Sequence, residues 1–136
     1  MNLSDDEIYE KILNGELRAD VQYKGKPLTY EDVSDVIHEI KVIPGGGGMY
    51  IGEKEYDGIS PLNFTEEPYG NGNFQIHSLN VDENMQKRGY GKCMMYIYLT
   101  YAQIKGYVNI WVINQCIKVP DFYSRFTWGG KEIEER

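Results

Sequence analysis

The stretch Gln86-Lys87-Arg88-Gly89-Tyr90-Gly91 decides how this chain is read, because of what flanks it. Before it, Phe74-Gln75-Ile76-His77-Ser78-Leu79-Asn80-Val81 alternates apolar and polar residues, the period of a β-strand. After it, the stretch from Gly91 to Lys105 has no further glycine and no proline, and carries apolar side chains at helical spacing. A strand–turn–helix with two glycines and two cations at the joint exposes backbone N–H groups at a helix N-terminus. Those unpaired donors, at the positive end of the helix dipole, bind phosphate or pyrophosphate without any special side chain. Glycine suits the turn because a Cβ would hold the anion away from the N–H groups.

Two nucleotide-binding patterns can be tested against the stretch, and both fail. The dinucleotide pattern Gly-x-Gly-x-x-Gly needs glycine where Met94 stands. The P-loop needs Ser or Thr after Gly-Lys, and Gly91-Lys92 is followed by Cys93. What fits is Gln/Arg-x-x-Gly-x-Gly/Ala, and the segment resembles the pyrophosphate loop of the GNAT superfamily of N-acetyltransferases at every fixed position. The flanks resemble the family as well. Leu79-Asn80-Val81 stands at the usual interval before Gln86, and Met94-Met95, Ala102 and Gly106 match the family's helix. Val108 to Asn114 is similar to its next strand, and Phe122-Tyr123 to its aromatic-Tyr pair. The resemblance covers roughly residues 74 to 130. It departs at Glu83, where proline is usual, and at Thr127 and Trp128, which replace Gly and Phe.

The resemblance implies an α/β (α+β) fold, with a mixed, mostly antiparallel twisted sheet and helices on both faces. It implies acetyl-CoA as co-substrate and transfer of the acetyl group to a primary amine, on a small molecule or a protein, by direct attack. Leu79 and Val81 would bond the pantetheine arm, and the N–H groups from Lys87 through Arg88, Gly89 and Tyr90 to Gly91 would meet the pyrophosphate. Gln86 would orient the loop, and Arg88 and Lys92 would add charge-assisted contacts. The Val81 N–H would polarise the thioester carbonyl, Tyr123 would protonate the leaving sulfur, and Asn114 would touch the pantetheine or the base. Where some protein-lysine acetylators carry a glutamate on the central strand, this chain has Gln75, which cannot take a proton. His77, on the same strand, is the candidate base, with Asp82, Glu83, Glu66 and Glu67 as carboxylate alternatives acting through water. An ordinary packed tyrosine and a structural or exposed histidine are the plain readings of Tyr123 and His77.

At 136 residues the chain has room for one domain, spanning 1–136, with a sizeable core. Its composition, 41% hydrophobic, is that of a folded protein. The start lacks a signal-peptide pattern and no run approaches a membrane span, so neither export nor a membrane partner is expected. Cys93 and Cys116 make no metal-ligand spacing and suggest no disulfide scaffold, so no metal is expected and a reducing cytoplasm is the expected setting. Neither has an evident partner base, so a cysteine intermediate is not expected. A net charge of −7 argues against nucleic acid as partner and suits a cationic acceptor. Against that global charge, Lys87, Arg88 and Lys92 cluster where an anion would bind, although the helix dipole disfavours cations there. A homodimer is an assembly open to such a domain.

Elsewhere, Ser4-Asp5-Asp6-Glu7 forms a capping box that predicts a helix to about Asn14, with Gly15 as its left-handed stop. Arg18 to Tyr23 reads as a first strand turning at Lys24-Gly25-Lys26-Pro27. A second box at Thr29-Tyr30-Glu31-Asp32 predicts a helix ending near Lys41, with Val33, Val36, Ile37 and Ile40 on one face. Pro44 and Gly45 to Gly48 form a flexible joint that could border the acceptor site. Met49-Tyr50-Ile51 starts a strand, and Tyr69-Gly70-Asn71-Gly72-Asn73 is a hairpin turn. Tyr96, Tyr98 and Tyr101 with Met94 and Met95 read as core packing rather than a cage for a methylated amine. Two rivals stand beside the enzyme: a non-catalytic acyl-CoA-binding regulatory module with a degenerate active site, and an interaction protein without a cofactor.

Overall fold

Helix formation begins where the sequence places its first cap. The computed structural model describes residues 3–43, 47–52, 61–67, 70–79, 89–113 and 122–136. Helix α1 (Asp5–Leu13) starts at Ser4, whose Oγ accepts from the Glu7 N–H at 3.2 Å and donates to the Glu7 carboxylate at 3.0 Å. Asp5, Asp6 and Glu7 sit at the positive end of its dipole and Lys11 at the negative end. Asn14 caps it and Gly15, at φ +83°, turns the chain away. Lys24 and Gly25, both at positive φ, make the two-residue turn between β1 (Val21–Tyr23) and β2 (Lys26–Pro27).

The helix expected from Thr29 to Lys41 is broken into three pieces. Helix α2 (Tyr30–Val33) is a single turn, and a 3₁₀ turn over Ile37–Glu39 passes directly into strand β3 (Ile40–Val42). The cap itself forms: the Asp32 carboxylate accepts from the Thr29 N–H at 2.9 Å and its hydroxyl at 3.0 Å. Two features stop propagation. Ser34 turns its hydroxyl back onto the Glu31 carbonyl at 3.0 Å, competing with the helical ladder. The β-branched Val36, Ile37, Ile40 and Val42 favour the strand that follows. Val33, Val36, Ile37 and Ile40 are buried as the periodicity required, but by different elements.

The remaining elements are β4 (Gly48–Ile51), β5 (Leu62–Glu66), β6 (Asn73–Leu79), α3 (Tyr90–Lys105), β7 (Asn109–Val112), a 3₁₀ turn over Tyr123–Arg125, β8 (Phe126–Trp128), β9 (Lys131–Glu132) and β10 (Glu134–Glu135). Among the described residues one sheet has six strands in the order β10-β7-β6-β5-β4-β3, antiparallel from β3 to β6 and parallel at β6/β7 and β7/β10. A second, antiparallel sheet has the order β2-β1-β8-β9. The fold is therefore α+β with two mostly antiparallel sheets where one was expected. The second exists because β8 pairs with β1 from the other end of the chain, Val21 opposite Trp128, a contact no local pattern announces. At the β5–β6 hairpin, Gly70, Asn71 and Gly72 all take positive φ. Gly72 is required by crowding too, since a Cβ there would lie 2.9 Å from Val108 Cγ2.

The six-stranded sheet buries one face. Met49, Ile51, Leu62, Phe64, Ile76, Ile110 and Val112 are buried, while Tyr50, Asn63, Thr65, Gln75, His77 and Trp111 alternate with them and are not. Helix α3 lies on the buried face: the Phe64 and Tyr98 rings are 4.4 Å apart, and Phe74 stacks on Tyr107 at 3.4 Å. Helix α1 packs on α3 through the stacked rings of Tyr9 and Tyr101, 4.2 Å apart. Helices on both faces were expected; among the described residues α1 and α3 pack on each other instead. Every residue of α3 from Cys93 to Ala102 is buried, Tyr96, Tyr98 and Tyr101 included. Among the described residues no helix is long and apolar enough to cross a membrane.

The rings between α1 and α3 carry a pH dependence. Burial pushes the hydroxyls of Tyr9, Tyr98 and Tyr107 far above the ordinary phenol value, and that of Tyr101 up to about 12. A raised folded value means stability that is complete below about pH 10 and is lost as pH rises through the alkaline range. Among the described residues the buried Tyr98 hydroxyl has no hydrogen-bond partner, so Tyr98→Phe removes an unsatisfied group. Tyr98→Phe is expected to leave the urea midpoint at about pH 8 unchanged or higher and to shrink its fall towards about pH 11. An equal fall in both chains would contradict this account.

Candidate anion-binding and active site

Strand β6, helix α3 and the Tyr123–Arg125 turn meet at one end of the large sheet. Helix α3 starts at Gly89, held at φ 83° and ψ 12°, a left-handed conformation that favours glycine. A Cβ built there meets nothing within 4 Å, so conformation rather than crowding demands the glycine. The first helical bond closes from the Cys93 N–H to the Gly89 carbonyl at 3.0 Å. The N–H groups of Gly91 and Lys92 therefore have no acceptor within the helix. This is the donor set an anion needs.

A Cβ at Gly91 would lie 3.6 Å from Phe122 Cζ and 3.9 Å from Leu79 Cδ2. Leu79 at the end of β6, Gly91 in the first turn of α3 and Phe122 beside Tyr123 are thus neighbours. The Phe122 ring lies 5.3 Å from each of the Tyr123 and Phe126 rings, which fixes the turn against the core. The ring that touches the glycine turn is Phe122, the first member of the aromatic pair Phe122-Tyr123.

Among the described residues the parallel β6/β7 ladder runs from Asn73/Asn109 to Ile76/Val112, and β6 continues to Leu79 beside β5. Ile76 faces Phe64 and Ser78 faces Asn63, so His77 is the extra residue of a bulge. Its Nε2 lies 2.6 Å from Thr65 Oγ1, on the exposed face. Gln75 lies between Thr65 and Trp111 on the neighbouring strands. Glu66 and Glu67 stand at the hairpin end of β5, roughly 13–17 Å along the strand from Leu79. Glu67 is ion-paired with Arg136 at 3.1 Å. Of the carboxylates considered as bases, these two are far from the site.

Other predicted residues have partners of their own. Tyr90 is buried, and its hydroxyl donates to Glu39 Oε1 at 2.9 Å, so its part at the helix start is played by its backbone. Glu39 lies too far away in sequence for any motif to have pointed to it. Lys92 Nζ lies 5.2 Å above the Tyr23 ring, and Lys24 Nζ 5.4 Å from the same ring. The Asp32 carboxyl is held below its ordinary value by the Thr29 N–H and hydroxyl, and less strongly by Lys92. Val81, Asp82, Glu83, Gln86, Lys87, Arg88 and Asn114 lie outside the described residues.

Cys93 is fully buried in α3, and burial pushes its thiol up to about 12. Iodoacetamide at about pH 8 is expected to spare Cys93 in the folded chain and to modify it in urea, read by peptide mass mapping. Labelling in the folded chain at the free-thiol rate would refute the burial.

Compared with known proteins, no protein-family model, curated protein or solved structure matches this chain.

Proposed function

We propose that this chain is an acetyl-CoA-dependent N-acetyltransferase of GNAT type, acting on a primary amine by direct attack. The observation that carries the reading is the meeting of Leu79, Gly91 and Phe122-Tyr123 at the N-terminus of α3. The site residues fit a pyrophosphate, since Gly89 carries no Cβ and the N–H groups of Gly91 and Lys92 have no acceptor within the helix.

When bound, acetyl-CoA supplies the thioester whose carbonyl carbon the neutral amine attacks, forming the C–N bond as the C–S bond breaks. The N–H groups at the start of α3 would hold the pyrophosphate, helped by Gln86, Arg88 and Lys92. The Leu79 and Val81 backbones would hold the pantetheine arm, and the Val81 N–H would polarise the carbonyl. Tyr123 would donate the proton that the thiolate takes, and the proton shed by the acylated nitrogen, passed through water, would restore the phenol. Holding amine and thioester in register supplies several kcal/mol without a dedicated base.

A second reading, the acyl-CoA-binding module without chemistry, is favoured by the candidate bases. Gln75 takes no proton, His77 is engaged with Thr65, and Glu66 and Glu67 are distant. Calorimetry with acetyl-CoA together with a CoA-release assay across an amine panel separates the two. Binding with release is expected, and binding without release for any amine would favour the module. Gly89→Glu is expected to weaken acetyl-CoA binding by about tenfold or more. Tyr123→Phe is expected to lower kcat about 10²- to 10⁴-fold with KM little changed. Unchanged turnover in that variant would remove Tyr123 from the mechanism.

A further inference from the structure

The far edge of the large sheet has its own chemistry. Strand β3 is outermost, and its pairing with β4 sets Lys41 opposite Tyr50. The Glu39 carbonyl accepts from the Gly52 N–H at 2.8 Å and the Ile43 N–H donates to the Gly48 carbonyl at 3.1 Å. Bonded positions alternate along an antiparallel ladder, so residues 39, 41 and 43 turn inward while Ile40 and Val42 turn their peptide groups outward. The Ile40 N–H is taken by the Ile37 carbonyl. The Ile40 carbonyl and the Val42 N–H and carbonyl remain on the edge, and among the described residues no strand lies beyond them.

That edge faces a groove of about 590 Å³ between β3 and α1, a volume in the range of ligand clefts. Leu13, Ile37, Ile40 and Val42 give it apolar lining; Asp6 and Glu10, one helical turn apart, form an acidic wall on α1, while Lys41 and His38 line the opposite, β3 side. Among the described residues neither carboxylate takes part in a hydrogen bond or ion pair. The groove is separate from the helix-start site: Val42, Met49, Leu62 and Leu79 form one row across the sheet, which puts three strand spacings, about 14 Å, between its ends.

We propose that this groove binds an extended, basic segment of a partner protein, which adds a strand to β3. Unpaired strand-edge groups are a template for such addition, and alternate side-chain positions beside the edge supply specificity. One apolar side chain of the segment rests against Leu13 and Val42, and a Lys or Arg reaches Asp6 and Glu10. The charge selects the occupant. A second copy of this chain, at net −7, would meet the acidic wall with like charge, whereas a basic segment is steered towards it.

The test uses a short blocked peptide alternating lysine and valine, titrated into isotope-labelled chain. Amide shifts are expected at Ile40 to Val42 and along α1, with slowed hydrogen exchange at the Val42 N–H. Methylating the central valine nitrogen should weaken binding about fivefold, because one strand hydrogen bond is lost. Asp6→Asn with Glu10→Gln should weaken it about tenfold and leave the far-UV circular dichroism and acetyl-CoA titration unchanged. No shift at about millimolar peptide, unslowed exchange at Val42 under saturation, or equal binding of the methylated peptide overturns the proposal. Protection of Val42 without peptide, accompanied by dimer sedimentation, overturns it in favour of a second copy.

Discussion

From Cys93 to Ala102 every side chain of α3 is removed from water, and a helix with no exposed stripe has to be enclosed by other elements. Each large apolar side chain buried this way contributes roughly 1.5–3 kcal/mol, so α3 dominates the packing. The enclosure draws on the whole chain. Tyr9 of α1 covers Tyr101, Phe64 of the large sheet covers Tyr98, and β1 and β8 of the small sheet complete the surround. The Ile37–Glu39 turn is tied to the helix start by the Tyr90–Glu39 hydrogen bond. The N-terminus of α3 is therefore held fixed relative to Leu79 and Phe122, which gives the candidate site its geometry.

What the sequence made legible was whatever local chemistry determines. The Ser4 cap, the Gly15 stop, the Lys24-Gly25 turn and the glycine hairpin into β6 all stand where residue types placed them. The strand, glycine turn and helix around Gly89 were legible because two periodicities change across one joint. What stayed hidden depended on distant partners. The apolar face from Val33 to Ile40 was visible, but its division between a helical turn and an edge strand was not. The pairing of β1 with β8 and the approach of Phe122 to Gly91 likewise join segments far apart in sequence. The helix start of the candidate site was readable, whereas its neighbours were not.

Charge is distributed unevenly over a chain that is acidic overall. Lys24 and Lys92 share the ring of Tyr23 beside the start of α3, where a helix dipole alone would repel them. Asp6 and Glu10 line the groove at the far edge of the sheet. Two sites of opposite sign can thus serve ligands of opposite sign on one small domain, with about 14 Å of sheet width separating them, more than a Debye length at physiological salt.

The parallel ladder of β6 and β7 has a consequence for the order of assembly. All of α3 lies between its two strands, so the ladder cannot close until that helix has been laid on the sheet. The hairpins from β3 to β6 need only short loops, and loop-closure entropy lets them form earlier. The helix start and its junction with Leu79 are then among the last parts of the molecule to be built. Any ligand that occupies them draws the final folding step forward by mass action, so occupancy and completion of the native state become one linked equilibrium.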